Sequence, residues 1–214
     1  MTGPMLETKN LTFGYDQRST LFDGFSETFT SGEMVALTGF SGRGKSTLLY
    51  LLGLMVKPDR GDVAINGADT SLLGDAARAR LRAQLIGFVF QDACLDSTRT
   101  ILDNVLETCL YRSEPRSRSR SKALALLESF GVEGHVDSRP GRLSGGQAGR
   151  IALCRALLSD PAIILADEPT GNLDAASAEI VTGAFRRRAA AGAIVVVATH
   201  DSTLVAQCDR SVVL

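Results

Sequence analysis

The stretch GFSGRGKST at residues 39–47 restricts the fold of this chain more than any other feature of its sequence. Before it lies a short apolar run, MVALT at residues 34–38, which has the composition of a strand buried on both faces. After it, residues 46–52 have the composition of a helix start. The pattern G-x-x-x-x-G-K-[ST] between a strand and a helix is typical of a loop that binds phosphates. The alternative is a flexible glycine-rich turn with a solvated lysine, which does not explain the whole pattern in this context.

The chemistry of a phosphate loop gives particular residues particular roles. Gly39, Gly42 and Gly44 let the backbone turn its N–H groups inward, and the helix start adds unpaired donors and a positive dipole end. In this pattern the lysine, Lys45, reaches the β- and γ-phosphates, and the hydroxyl of Ser46 coordinates Mg²⁺. We therefore expect a triphosphate site at this loop.

The rest of the chain alternates between apolar runs and helical patterns. Three further runs have the composition of buried strands: residues 86–90, 163–166 and 194–198. Helical patterns lie at about residues 74–84, 122–130 and 151–158. This alternation predicts an α/β fold with a parallel sheet. Short β-branched pieces at residues 5–15 and 61–67 suggest an antiparallel layer, and the polar, arginine-dotted residues 92–142 suggest a helical insertion.

Composition and charge argue against several classes of protein. The 214 residues, 44% of them hydrophobic, are enough for one domain with a substantial core. With 23 basic and 24 acidic residues the net charge is −1, so no basic field supports nucleic-acid binding. No apolar run approaches the ~18 residues of a membrane span, and the N-terminus has no signal-peptide pattern. The cysteines form no C-x-x-C pair, so we expect buried thiols in a reducing cytosol: Cys94, Cys109, Cys154 and Cys208.

Polar side chains follow two of the predicted strands. Asp167 and Glu168 come directly after the run at residues 163–166, and His200 follows the run at residues 194–198. Open α/β sheets bind ligands at the carboxyl ends of their strands. Asp167 suits a Mg²⁺-linked role and Glu168 a general base for water. Two acids after a strand are as typical of a structural helix start, but beside a phosphate loop they favour catalysis.

A second glycine-rich helix start, LSGGQ, lies at residues 143–147. Ser144 is a good N-cap, and two glycines at a helix start form another potential anion site. One triphosphate needs one loop, so an economical explanation is a dimer in which each chain closes the other's phosphate site. The other histidine, His135, lies in a glycine-rich polar stretch and reads as structural.

Together these motifs resemble the nucleotide-binding subunit of ABC transporters, over nearly the whole chain. Residues 39–47 resemble its Walker A motif, IILADE its Walker B motif, and LSGGQ its highly specific signature. Gln91 after IGFVF resembles the Q-loop glutamine, Asp174 ends a D-loop GNLD, His200 matches the switch histidine, and Tyr15 the aromatic that stacks on adenine. ADEPTGNLD and IGFVFQ point to the branch with lipoprotein-releasing, macrolide-exporting and cell-division ATPases, and some peptide exporters.

The resemblance implies a set of site residues for ATP and Mg²⁺. Catalysis is expected from Glu168, His200, Gln91 and Lys45, and metal binding from Ser46, Gln91 and Asp167. Nucleotide binding is expected from Tyr15, Gly39, Ser41, Gly42, Gly44, Lys45, Ser46, Thr47, Ser144, Gly145, Gly146, Gln147 and Asp174.

The resemblance also implies an architecture and an assembly. It implies an α/β P-loop NTPase parallel-sheet core of the ABC ATPase type, with a small antiparallel β layer and a helical subdomain. Residues 1–214 are expected to form one ABC ATPase domain, with its core in 1–91 and 143–214 and the helical subdomain in 92–142. Two copies sandwich two ATP and drive separate transmembrane permease subunits, with no nucleic acid. The subunit would be cytoplasmic, held peripherally at the inner face of the cell membrane, in an exporter or extractor.

Some features depart from the pattern of this branch. Arg43 stands where a small residue is usual, AGR at residues 148–150 replaces QQR, and residues 92–100 differ from the usual Q-loop continuation. The chain ends soon after His200, so we expect no regulatory C-terminal domain and no last strand. A non-transporting member that transmits force across the membrane is an alternative. A regulator that binds ATP without turnover is a third possibility, but every expected catalytic residue is present. DNA-repair and ribosome-acting relatives fit less well, because the span from Gln91 to Leu143 is short and there is one cassette.

Overall fold

The computed structural model describes residues 3–16 and 19–214, and within them two sheets lie in separate layers. The larger sheet has five strands in the order β6-β7-β8-β3-β9, and all of its neighbouring pairs are parallel. These strands are β3 (Met34–Thr38), β6 (Ile86–Val89), β7 (Ile163–Asp167), β8 (Ile194–Ala198) and β9 (Arg210–Val213). The smaller, antiparallel sheet has the order β2-β1-β4-β5, from β1 (Met5–Asp16), β2 (Ser19–Thr30), β4 (Arg60–Ile65) and β5 (Ala68–Asp69). The predicted α/β fold with an antiparallel layer is confirmed.

The helices surround the parallel sheet and fill the segment between β6 and β7. They are α1 (Lys45–Leu52), α2 (Asp75–Leu85), α3 (Ile101–Val105), α4 (Thr108–Tyr111), α5 (Arg116–Ser129), α6 (Gly145–Leu157), α7 (Ala175–Ala190) and α8 (Ser202–Val205). Two 3-10 turns, Glu133–His135 and Pro140–Arg142, precede α6. Within the described residues, no helix has the length and apolar character needed to cross a membrane.

The inner strands of the parallel sheet, β3, β7 and β8, are almost entirely apolar because a core covers each face. In β7, Ile164 and Ala166 belong to a core shared with α3, α5, α6 and α7, whereas Ile163 and Leu165 belong to a core shared with α1 and the antiparallel sheet. Every residue of β7 and β8 is buried. A strand covered on both sides needs no polar alternation, which is why continuous apolar runs predicted these strands well.

The segment from 92 to 142 contains α3, α4, α5 and both 3-10 turns. Arg155 of α6 connects this segment to the core, because its guanidinium donates to the carbonyls of Ala93 and Cys94, each at 2.8 Å. Lys122 of α5 forms an ion pair with Asp160 just before β7. The segment is helical, and the boundaries of the helical subdomain remain a prediction.

Three sequence-based expectations need correction. The last strand is present, because β9 pairs with β3 in parallel at the edge of the sheet. Helix α5 begins at Arg116 rather than near residue 122, since alternating Arg and Ser residues hide the helical pattern at its exposed start. The thiols are not all buried: Cys109 and Cys154 are, but Cys94 is exposed and Cys208 is half-buried.

Candidate active site

The loop at residues 39–47 joins the carboxyl end of β3 to α1, as the pattern predicted. Two of its glycines are required by their surroundings. Gly44 has φ +92°, and a Cβ there would lie 2.8 Å from the ring of Phe22. Gly39 has φ +135°, and a Cβ there would lie 2.5 Å from the carbonyl oxygen of Leu214. Any other residue would therefore strain the backbone and clash with its neighbours.

Lys45 lies across this loop. Its ammonium donates to the carbonyl oxygen of Gly39 at 2.9 Å and to that of Phe40 at 3.2 Å. These carbonyls hold the lysine over the start of α1, where backbone N–H groups are unpaired. A phosphate entering the loop would meet this cation and the helix start together. Arg43, within the loop, is exposed to solvent.

The loop opens into a cavity of about 530 Å³ that unites residues from distant parts of the chain. Its lining consists of Tyr15, Leu21, Ser41, Gly42, Gly44, Lys45, Ser46, Thr47, Gln91, Asp167, Glu168 and His200. All of these except Leu21 are residues that the sequence singled out. Leu21 lies on β2, and nothing in its local sequence marks it as a site residue.

The oxygen atoms of this cavity suit Mg²⁺. The carboxyl of Asp167 is buried, and its burial raises its pKa, opposed by a hydrogen bond from Ser46 and by the charge of Lys45. A divalent cation beside Asp167 would offset the cost of burying this charge. Mg²⁺ prefers one or two carboxylates together with phosphate and water oxygens. Ser46, Asp167 and the amide oxygen of Gln91 provide a donor set of that kind.

Glu168 is held firmly at the end of β7. Its φ of +46° is unusual for a side chain of this size, and its backbone N–H donates to the carbonyl of Ala198 at 2.9 Å. One carboxylate oxygen lies 2.8 Å from Nδ1 of His200, and the other accepts from the hydroxyl of Thr199 at 3.2 Å. The hydrogen bond to Glu168 raises the pKa of the exposed His200. Thr199 was missed from the sequence, since only the fold reveals that its hydroxyl faces Glu168.

Tyr15 forms the outer wall of the cavity. Its side chain is exposed, its ring and that of Phe13 form a T-shaped pair with centroids 5.1 Å apart, and its hydroxyl lies 3.2 Å from that of Thr47. The tyrosine is therefore oriented by two contacts while much of its ring remains open to a planar ligand.

The signature segment at 143–147 lies outside this cavity. Ser144 caps α6: its hydroxyl accepts from the N–H of Gln147 at 3.2 Å, and Oε1 of Gln147 accepts from the N–H of Ser144 at 2.9 Å. Ser144 and Gly145 are exposed. The loop before α7 packs against Gly146, where a Cβ would lie 3.4 Å from the carbonyl oxygen of Asn172, an ordinary contact distance.

Asp174 is also absent from the lining of the cavity. In the single chain it caps α7, because its carboxylate accepts from the N–H of Ser177 at 2.7 Å, and this hydrogen bond lowers its pKa. One chain thus brings the phosphate loop, Gln91, the two acids and His200 together. Residues 144–147 and Asp174 do not line this cavity, and Gly145 lines a smaller one with Gln91 and Glu168.

Comparisons with known proteins agree with this geometry. A family profile described as "ABC transporter" matches residues 22–171. The lipoprotein-releasing system ATP-binding protein LolD of Bordetella pertussis is 41% identical over 98% of this chain and 92% of its own length. The macrolide export ATP-binding/permease protein MacB of Hyphomonas neptunium is 39% identical over 98% of this chain but 33% of its own.

Solved structures extend the comparison. The dimeric structure of MJ0796, described as a bacterial ABC transporter cassette, superposes with a TM-score of 0.91 at 34% identity, covering 98% of this chain and 94% of that one. A dimeric post-hydrolysis state of MJ0796 bound to ADP and Pi superposes with a TM-score of 0.89 at 32% identity and the same coverage.

Proposed function

Because the chain belongs to the ABC transporter family, in which it is an ATP-binding and ATP-hydrolysing subunit, we propose that two copies close around two Mg·ATP and drive separate transmembrane subunits. The cavity of one copy holds the nucleotide, and residues 144–147 of the other copy cover it. One observation carries this proposal. In a single chain the catalytic cavity is open, while the exposed, capped start of α6 lies outside it.

The residues of the cavity have different roles in ATP hydrolysis. Lys45 and the backbone N–H groups of residues 42–47 bind the phosphates. Ser46, Asp167 and Gln91 would hold Mg²⁺, whose charge would shield the phosphate oxygens. Glu168 accepts a proton from the attacking water, and His200 steadies the γ-phosphate while it also holds the Glu168 carboxylate. Ser144 and Gly146 complete the site from the other copy, with Gly145, Gln147 and Asp174 beside them.

Nucleotide selectivity should be loose. Tyr15 offers the face of a ring, which stacks on any base and reads no base edge. We expect GTP to compete within about tenfold of ATP, a difference of ~1.4 kcal/mol. Competition between GTP and a fluorescent ATP analogue measures this ratio. A GTP affinity a thousandfold weaker would reveal contacts to the base edge and contradict the assignment.

The membrane partner is proposed to bind a groove of about 570 Å³ between the core and the helical segment. Its walls include Phe88, Phe90, Cys94, Glu107, Tyr111 and Arg155. Phe90 of the groove directly precedes Gln91 of the nucleotide cavity in the chain, so adjacent residues line the two sites. We assign to the groove a short amphipathic helix of the transmembrane subunit. The apolar face of that helix would pack on the aromatic residues of the groove, and its charged residues would face Glu107 and Arg155.

Family members support a separate permease. The name of MacB joins an ATP-binding and a permease part in one protein, and this chain matches only a third of it. LolD, which this chain matches over most of its length, is named as the ATP-binding protein of a lipoprotein-releasing system. We therefore propose an exporter or extractor in which this subunit lies in the cytoplasm at the inner face of the membrane.

Thiol labelling tests the groove. Cys94 should be the first thiol to react with a maleimide, because it is exposed, whereas burial raises the pKa of Cys154 to about 12 and that of Cys208 to about 11. Cys94→Ser should remove the fast phase and Cys208→Ser should not.

Slower labelling of Cys94 in the presence of the transmembrane subunit would show that this subunit occupies the groove. In native membranes, where the transmembrane subunit is present, we expect labelling of Cys94 to slow at least about tenfold relative to the purified chain, since a docked helix excludes the reagent. Equal rates in the two preparations would show that the groove is not the docking site.

A further inference from the structure

The start of α6, the helix that follows the LSGGQ segment, has a side-chain contact in addition to its capping box. His135, the last residue of the 3-10 turn Glu133–His135, points its Nε2 at Nε2 of Gln147, at 3.0 Å. Gln147 is at the same time half of the capping box with Ser144. Both side chains are partly buried.

Hydrogen-bond chemistry determines the state of this contact. A backbone N–H can only donate, so the Gln147 atom that faces the N–H of Ser144 is the oxygen Oε1. The other end of the amide is then NH₂, which also can only donate. Nε2 of His135 must therefore accept, which requires a neutral imidazole with its proton on Nδ1.

The contact and the cap depend on each other. If His135 presented a proton at Nε2, two donors would face each other, and the amide would have to turn over. Gln147 would then point NH₂ at the N–H of Ser144, and half of the capping box would be lost. An acceptor at position 135 thus holds the Gln147 amide in the orientation that fixes Ser144.

The backbone beside His135 is itself anchored. The carbonyl of Val136 accepts from the N–H of Leu102 at 3.1 Å, and that of Ser138 accepts from the N–H of Ile101 at 2.8 Å. His135 is therefore held against the start of α3 and connects the helical segment to the start of α6. Its position is set by these contacts with α3.

We propose that His135 is a positioning residue for the ATP site of the opposite copy, acting through Gln147 to hold Ser144 in its capping geometry. This role rests on the proposed two-copy sandwich. A sequence pattern could not reveal it, because His135 lies twelve residues before Gln147 and no motif joins the two.

The test uses the full chain with Glu168→Gln, which is expected to accumulate as an ATP-bound dimer. In that background, His135→Leu and His135→Lys remove the acceptor, and each should weaken ATP-dependent dimerisation about tenfold, because Ser144 is then not held in place and must be ordered at both sites when the dimer closes. His135→Gln, which offers an amide oxygen at similar reach, should stay within about twofold. Asp137→Asn, on an exposed residue of the same loop, is the matched control and should change nothing.

Two readouts separate positioning from general damage. Binding of a fluorescent ATP analogue to the monomer should match the Glu168→Gln background in the Gln and Lys variants, and the melting temperature without ATP should match it in the Gln variant. A charge exchange provides independent evidence: His135→Lys should be tolerated better when Gln147→Glu is also present, since a carboxylate can accept from both Ser144 and the lysine. The comparison of His135→Lys with and without Gln147→Glu tests the role of His135 even if His135→Leu does not fold.

The outcomes are distinct. Equal dimerisation of the Leu, Lys and background proteins, or an equal loss in the Gln and Leu variants, would overturn the role of His135 and leave the sandwich intact. A Glu168→Gln protein that keeps His135 and never dimerises would remove the sandwich, and this role with it.

Discussion

Glu168→Gln will lower ATP turnover by ~10²–10⁴-fold, the usual loss when a general base is removed. An amide has nearly the shape of the carboxylate, but it cannot accept the proton of the attacking water. The backbone of residue 168 is held by its own hydrogen bond to Ala198, so the substituted side chain should occupy the same place. Phosphate release under saturating Mg·ATP measures the effect.

Binding of ATP should survive this substitution. Lys45, Ser46 and Asp167 make the proposed contacts to the phosphates and the metal, and removal of one negative charge from the cavity favours an anionic ligand. Glu179→Gln makes the same chemical change on an exposed face of α7 and should leave turnover near that of the unmodified chain. Turnover of Glu168→Gln within a few-fold of the unmodified chain would contradict the assignment of Glu168 as base.

The second large effect concerns assembly. In the Glu168→Gln background, Ser144→Arg should abolish the ATP-dependent dimer. Ser144 is exposed at the start of α6, where the hydroxyl serves as cap and the helix end is positive. A long cation there loses the cap, fills the space proposed for the γ-phosphate of the opposite copy and adds positive charge to a positive helix end.

Controls separate contact from folding. Ser117→Arg places the same side chain on an exposed residue of α5, outside the proposed contact, and should leave the dimer intact. Ser144→Asn retains a good N-cap and should weaken the dimer less than Ser144→Arg. A Glu168→Gln, Ser144→Arg protein that dimerises as readily as Glu168→Gln alone would show that α6 does not cover the nucleotide.

Much of the fold could be predicted because its strands are buried on both faces. The apolar runs at β3, β7 and β8 are uninterrupted, and short-range composition is enough to recognise them. The phosphate loop was equally clear, since Gly39, Gly44 and Lys45 fulfil local backbone and charge requirements. The start of α5 was missed because a solvent-facing helix of Arg and Ser shows no apolar periodicity. The last strand, β9, was expected to be absent, but its pairing with β3 depends on contacts between distant residues.

The candidate site shows the same division between local and long-range information. Asp167, Glu168 and His200 could be found because each follows a strand that ends at the ligand-binding edge of the sheet. Thr199 and Leu21 could not, since their contribution depends on where the fold turns them. The contact between His135 and Gln147 also lies beyond local patterns. His135 was interpreted as structural, and its packing against the signature helix is what suggests a further role.

The central claim is that ATP joins two copies of this chain, and the mass of the Glu168→Gln protein in solution tests it most directly. Size-exclusion chromatography with light scattering should give the mass of one 22.7 kDa chain without nucleotide, and twice that mass with saturating Mg·ATP. Bound ATP should elute with the dimer. A protein that binds ATP under these conditions but keeps the mass of a single chain would contradict the sandwich.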